Sequence, residues 1–437
     1  MIQLEDTLTA RDAKRYIAHR FTVPPGARRL ELRLRFAPAV VHGVHNHLAL
    51  TLFDPDGFRG AGHRGGASHD VVISHEAATP GYLPGPLPPG EWIAEVHTHM
   101  IMPGAPLRYR LEVAVSEVAI TEAEAPRPAP RAAPATSPSA EAAPTGPAWL
   151  KGDLHTHTHH SDADDFTVAD LVEQARRKDL DFVFLTDHNT NAGLHELTST
   201  PDLLTCDGFE LTTFWGHALC LGARTWIDWR VDPGSGVMPA IAARAYTRGE
   251  LFVIAHPLAD GDPGCTGCAW RFGEMMPGNA RMVEIWNGPW GCDSNNEDSL
   301  ALWYDWLNQG HRLVATAGTD THGPDGYGPG TAFSVVRVAE RTQAGILAGL
   351  AAGAVVLTAG PELRLEARDA QGGTHLPGDT VRGPASLTAR WANCPPGATV
   401  RLMAHGRLMD ARTADGTGAH TWSLTPADAA WLVVEIR

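Results

Sequence analysis

The chain has 437 residues, long enough for two to three domains, and 43% hydrophobic against 19% charged residues fits a folded globular protein. Fifty acids against 35 bases give a formal charge of −15, which argues against a nucleic-acid backbone as the main partner. No apolar run reaches transmembrane length and the opening MIQLEDTLTARDAKRYIAHR lacks the apolar core of a secretory signal; with six cysteines and no disulfide framework, the expectation is a cytoplasmic protein, the alternative being one whose leader has been removed.

In chain order, RLELRLRFA, HLALTLFDPDG, EWIAEVHTHM and RYRLEVAV alternate apolar and polar residues between the turn signals VPPGA, DPDG and LPPG. This predicts an N-terminal β-sandwich over residues 1–120. His42, His45 and His47 are expected on the polar face of an edge strand. Residues 121–147 hold seven prolines and nine alanines but no Val, Ile, Leu, Met or aromatic residue. Such a stretch buries too little apolar surface to offset its ordering entropy, so a disordered linker is expected.

From 148 to 360 the pattern becomes strand, loop, helix. FTVADLVEQARRKDL has Thr167 as N-cap with Asp170 three residues on, and Val168, Leu171, Val172 and Ala175 on one helical face. The apolar runs DFVFL, LFVIA, MVEIW and LVATA imply parallel strands covered on both sides. DSLALWYDWLNQGHR reads as another helix, stopped near Gly310. From 361 to 437, PELRLEARDA, ASLTARWA, ATVRLMAHG and AWLVVEIR return to alternation and predict a small C-terminal β domain.

The chemistry lies just after the apolar runs. WLKGDLHTH delivers His155 and His157, DFVFLTDHN delivers Asp187 and His188, and LLTCDGFELTTFWGHALCLG delivers Glu210 and His217. LFVIAHP adds His256, and LVATAGTDTH adds Asp320 and His322. If parallel strands close into a barrel, their C-terminal ends share one rim, and five segments bring imidazoles and carboxylates to one place. Two residues apart on extended chain, His155 and His157 share a face, as do Asp320 and His322. This donor set suits Zn, Mn or Fe, and it oversupplies one ion, so two or three divalent ions are expected. His159, His160, Asp164 and Asp165 lack strand-end placement and read as loop residues.

The motifs DLHTHTHHSD, TDHN, AHP and GTDTH, in that order, resemble the polymerase and histidinol phosphatase (PHP) superfamily over roughly 151–360. GFE…GHALCLG, TPGYLPGPLPPGEW and the leading sandwich are similar to its CehA/McbA-type branch, named after a carbaryl hydrolase. The resemblance implies a distorted (β/α)7 barrel flanked by the two β domains. It also implies a first ion on His155, His157, Glu210 and Asp320, a second on Glu210, His217 and His256, and a third on Asp162, His188 and His322. Asp162 stands where other members often carry His, and Asp187 would orient a ligand imidazole from behind.

The expected activity is phosphomonoester or phosphodiester hydrolysis, with Glu210 bridging two ions and Asp320 or an imidazole such as His322 managing the proton. Lys151 and Arg271 are the candidate phosphate clamps. The same centre could attack a carbamate or carboxylic ester, with Trp286 and Trp290 as aromatic walls. A third reading is a non-catalytic, metal-dependent binding scaffold. A small-molecule ester is the expected partner, with no membrane and no nucleic acid. Cys265 and Cys268 in CTGC are read as packed thiols in preference to structural zinc or a disulfide.

Overall fold

The computed structural model describes residues 2–118 and 146–437. The stretch expected as a linker, 121–147, lies outside the described residues apart from its last two positions.

Residues 2–116 form two four-stranded antiparallel sheets. One runs Ile2–Leu8, Leu107–Ser116, Arg29–Ala37, Ser68–Ser74 from edge to edge; the other runs Tyr16–Val23, Gly90–Met100, His47–Asp54, Gly57–Gly62. The alternation in RLELRLRFA is the cause: Leu30, Leu32, Leu34 and Phe36 are buried while Glu31 between them lies half-buried and Arg33 and Arg35 face outward. Leu48, Leu50, Leu52, Trp92 and Val96 meet them from the second sheet. Residues 362–436 form a four-stranded and a three-stranded sheet around Trp391, Val400, Leu402 and Trp422.

The middle region departs from the expected barrel. Its strands make two separate five-stranded sheets. The first runs Leu204–Cys206, Phe182–Phe184, Ala148–Asp153, Phe333–Val338, Val355–Thr358; the second runs Gly208–Thr212, His217–Leu221, Leu251–Ile254, Met282–Asn287, Val314–Gly318. Both are mixed rather than all-parallel. The reason is visible in the connection 213–216: four residues can close a hairpin but cannot make the crossover that a parallel neighbour needs. No ladder closes the two sheets into a ring among the described residues. They touch instead through isolated bridges at Thr156–Thr321 and His188–Glu210, where the motif residues leave their strands.

Helices are few: Val168–Arg177, Val237–Thr247, Asn296–Asn308 and Gln343–Ala351 are the α-helices among the described residues. The first begins as its sequence predicts, with a reciprocal capping box between Thr167 and Asp170 and with Val168, Leu171 and Ala175 buried. The third stops at Gln309, and Gly310 follows at φ +89°, a backbone conformation that glycine adopts without penalty. No helix among the described residues is long and apolar enough to cross a membrane.

Candidate metal centre

Glu210, in the strand Gly208–Thr212, is fully buried and lies among five imidazoles. Its Oε2 lies 2.8 Å from His188 Nδ1, 3.3 Å from His155 Nε2 and 3.4 Å from His157 Nε2. Its Oε1 lies 3.1 Å from His217 Nδ1 and 3.3 Å from His256 Nε2. Asp320 Oδ1 stands 2.9 Å from His157 Nε2 and 3.3 Å from His155 Nε2. Asp162 closes the group, 3.4 Å from His188 Nε2 and 3.3 Å from His322 Nε2. The structure brings together the nine residues expected as ligands, with His322 at the exposed margin, but it groups His256 with His155 and Glu210, and His217 with His188 and Glu210, rather than His217 with His256. Local backbone helps: His256 and Asp320 have φ +26° and +52°, a bend that turns each side chain off its strand end toward the others.

These residues fit divalent ions. His155 Nε2, both nitrogens of His157 and of His217, and one oxygen each of Asp162, Glu210 and Asp320 are buried without a hydrogen bond among the described residues. Buried lone pairs converging without protons between them are costly unless a cation fills the gap. The rear nitrogens are held: His155 Nδ1 by Glu284 Oε1 at 3.1 Å, His256 Nδ1 by the Cys268 carbonyl at 3.2 Å, and His322 Nδ1 by the Asp320 carbonyl at 2.8 Å. Holding Nδ1–H this way turns the Nε2 lone pair inward.

Electrostatics couples the carboxylates to the imidazoles: burial alone would lower His155, His188, His256 and His322, but the carboxylates beside them outweigh it, raising the first three and taking His322 up to about 9. Burial alone would raise Glu210, but His155, His188 and His217 outweigh it and hold its carboxyl well below the usual range. Asp320 and Asp162 are depressed for the same reason, burial being outweighed by neighbouring imidazoles. Burial, reinforced by His188 and His322, pushes His157 down to about 4, leaving it a neutral donor.

Glu284 is the residue that sequence reasoning missed. It is buried in Met282–Asn287, and besides His155 it accepts from the His256 backbone N–H at 3.2 Å and from Asn287 Nδ2 at 3.0 Å. A carboxylate inside the apolar run MVEIW was the available signal. Asp153 was also missed: it is fully buried, accepts from Thr319 Oγ1 at 2.6 Å, and burial pushes it up to about 6.

Four expectations change. Asp187 touches no ligand imidazole; it accepts from Thr158 N, Thr158 Oγ1 and Ser161 Oγ at 2.7, 2.7 and 2.8 Å and so shapes the turn leading to Asp162. Lys151 is not at the centre, because its ammonium donates to the Lys178 carbonyl at 2.8 Å, at the end of the first helix. Arg271 is exposed, with no side-chain partner among the described residues. Trp286 is carried away by the bulge between Glu284 and Trp286, and packs edge-on against Trp290 at 4.8 Å in an apolar groove beside the C-terminal sheets.

Two further readings are corrected. Cys265 and Cys268 are joined as a disulfide, not packed as thiols, which weakens the cysteine argument for a cytoplasmic protein. His47 is no edge-strand surface residue: its ring packs 4.8 Å from those of both His63 and His99, and burial pushes it down to about 4. His160 does lie in a loop, but buried. Its Nδ1 accepts from the Gly81 N–H at 2.9 Å, so Nε2 carries the proton donated to Glu196 at 2.7 Å, and that nitrogen is not free for a metal.

No family model matches the chain, and no curated protein matches it. Among solved structures, a two-domain protein from Bacteroides vulgatus, described as containing a predicted PHP-like metal-dependent phosphoesterase, aligns at 16% identity over 64% of this chain and 88% of its own, with a TM-score of 0.38. A protein from Bifidobacterium adolescentis described as a metal-dependent phosphoesterase aligns at 19% identity over 40% of this chain and 88% of its own, with a TM-score of 0.28. Both superpositions are loose, and the side chains above carry the functional reading by themselves.

Proposed function

We propose that the chain is a multinuclear metal-dependent hydrolase of the PHP superfamily, CehA/McbA-type branch, acting on small-molecule phosphate esters. On this reading the two five-stranded sheets correspond to the family's distorted barrel. The observation that supports it best is Glu210, whose two oxygens face two different sets of imidazoles. His155, His157 and Asp320 would complete one site with Oε2, and His217 and His256 another with Oε1. Asp162, His188 and His322 would hold a third ion. Zn, Mn or Fe suits this set of nitrogen and carboxylate donors.

When bound, such ions would polarise the ester and supply a water-derived nucleophile at neutral pH. The chain's own residues do the rest. Glu284 fixes the orientation of His155, and Asn287 Nδ2 steadies Asp320 Oδ2 at 3.1 Å. Asp320 and His322 stand on the open side of the centre, where exposed His322 gives it a border with solvent. Arg64, which interacts electrostatically with Asp162, donates to the Pro80 and His159 carbonyls.

Elemental analysis followed by hydrolysis of p-nitrophenyl phosphate, bis-p-nitrophenyl phosphate and a carbaryl-like carbamate tests the proposal. Two or three equivalents of metal and turnover of a phosphate ester are expected. Turnover of the carbamate alone would favour the ester-hydrolase reading, and metal-replete protein that cleaves nothing would favour a scaffold.

A further inference from the structure

The N-terminal sheets bring their own histidines to the metal centre. His47 opens the strand His47–Asp54, His63 follows Gly57–Gly62, and His99 ends Gly90–Met100; these strands lie in one sheet. The three rings form a near-equilateral cluster, each pair of centroids 4.8 Å apart. His63 then reaches His188, at 4.6 Å between centroids, and His99 packs edge-on to Phe214 at 5.0 Å. His47 Nε2, His63 Nδ1 and His99 Nδ1 are buried with no hydrogen bond among the described residues.

A face meant only for packing would carry aliphatic side chains, since each unpaired buried polar atom costs about 1–3 kcal/mol. Nor do these rings make another metal site, because none of them joins a converging ligand group among the described residues. What they offer is N–H donors, lone pairs and ring faces, with no carboxylate hydrogen-bonded to any of the three among the described residues. We propose that His47, His63 and His99 form a substrate subsite of the metal centre that takes the second ester arm of a phosphodiester. This rests on the hydrolase reading above. A phosphomonoester brings a dianion that calls for charged donors such as arginine. A diester brings one negative charge to the metals and an uncharged arm to the wall beside His188.

The test uses the full-length, metal-loaded protein. Binding of diethyl phosphate, an inert diester, and of inorganic phosphate is measured by calorimetry, alongside turnover of bis-p-nitrophenyl and p-nitrophenyl phosphate. Wild-type protein should prefer the diester. His63→Leu should weaken diethyl phosphate binding and raise the diester KM by about tenfold, the loss of roughly one hydrogen bond. Phosphate binding and metal content should stay unchanged, and His63→Gln, which keeps an N–H donor, should recover most of the loss. Preference for the monoester, equal losses on both substrates, or metal loss in folded His63→Gln would overturn the subsite. If wild-type protein cleaves neither ester the hydrolase reading fails, while the diethyl phosphate titrations still decide whether the wall binds.

Discussion

Glu284 Oε1 lies 3.1 Å from His155 Nδ1, so one buried carboxylate grips from behind the imidazole whose Nε2 faces Glu210 and Asp320. Replacing it by glutamine keeps the shape and removes the charge that sets the tautomer. Glu284→Gln is expected to weaken metal affinity by about 10–100-fold, read by competition with a chelator. Unchanged affinity would mean that His155 needs no such partner.

Glu210→Ala should do more. Because its two oxygens face two ligand sets, metal content is expected to fall by at least two equivalents together, with hydrolysis lost in step. Loss of a single equivalent, measured by elemental analysis, would show that Glu210 serves one ion and not two.

The loop 265–268 holds His256 through the Cys268 carbonyl and crosses the centre at Gly267, where an added Cβ would stand 2.1 Å from the Thr213 carbonyl oxygen and 3.1 Å from His217 Nε2. Gly267 also has φ +85°. Gly267→Ala should therefore lower both melting temperature and metal content. A fall in melting temperature without metal loss would detach this loop from ligand positioning.

Lys151→Ala is expected to leave kcat/KM unchanged, since the ammonium is committed to the Lys178 carbonyl and lies over the Phe333 ring at 5.6 Å. A tenfold loss on phosphate esters would restore it as a clamp.

His69 gives a pH prediction away from the centre. Burial, reinforced by Arg64, pushes it down to about 4 against an ordinary 6.5. Between those values the unfolded chain binds a proton that the folded chain refuses, so stability is full above about pH 6.5 and falls as the pH drops toward 4. The total is about 3 kcal/mol by the usual conversion. His69→Gln should flatten the melting temperature between pH 7 and 5; an unaltered slope would reject the assignment.

Much of the centre was legible because its ligands sit where apolar runs end, a position that sequence marks twice, by the run and by the break. The sandwich strands were legible for the same reason, through alternation in segments such as RLELRLRFA. Strand direction was not, because it depends on connections such as 213–216, whose length matters more than composition. Glu284 was hidden inside the run that identified its own strand. His47, His63 and His99 are far apart in sequence, and only cross-strand pairing brings their rings together. Trp286 was misplaced because a single bulge reverses the face on which a strand residue falls.

The seam beside the first motif has one more implication. Gly81 donates its N–H to His160 and accepts from Thr190 Oγ1 at 2.8 Å, Arg64 donates to the His159 carbonyl at 3.1 Å, and a Cβ on Gly81 would stand 2.6 Å from the His160 carbonyl oxygen. A truncated version starting at Ala148 would strip these partners from the very loop that carries Asp162, and bare one flank of His188 to water. The shortest fragment worth expressing is thus set by what leans on the motifs rather than by where they begin.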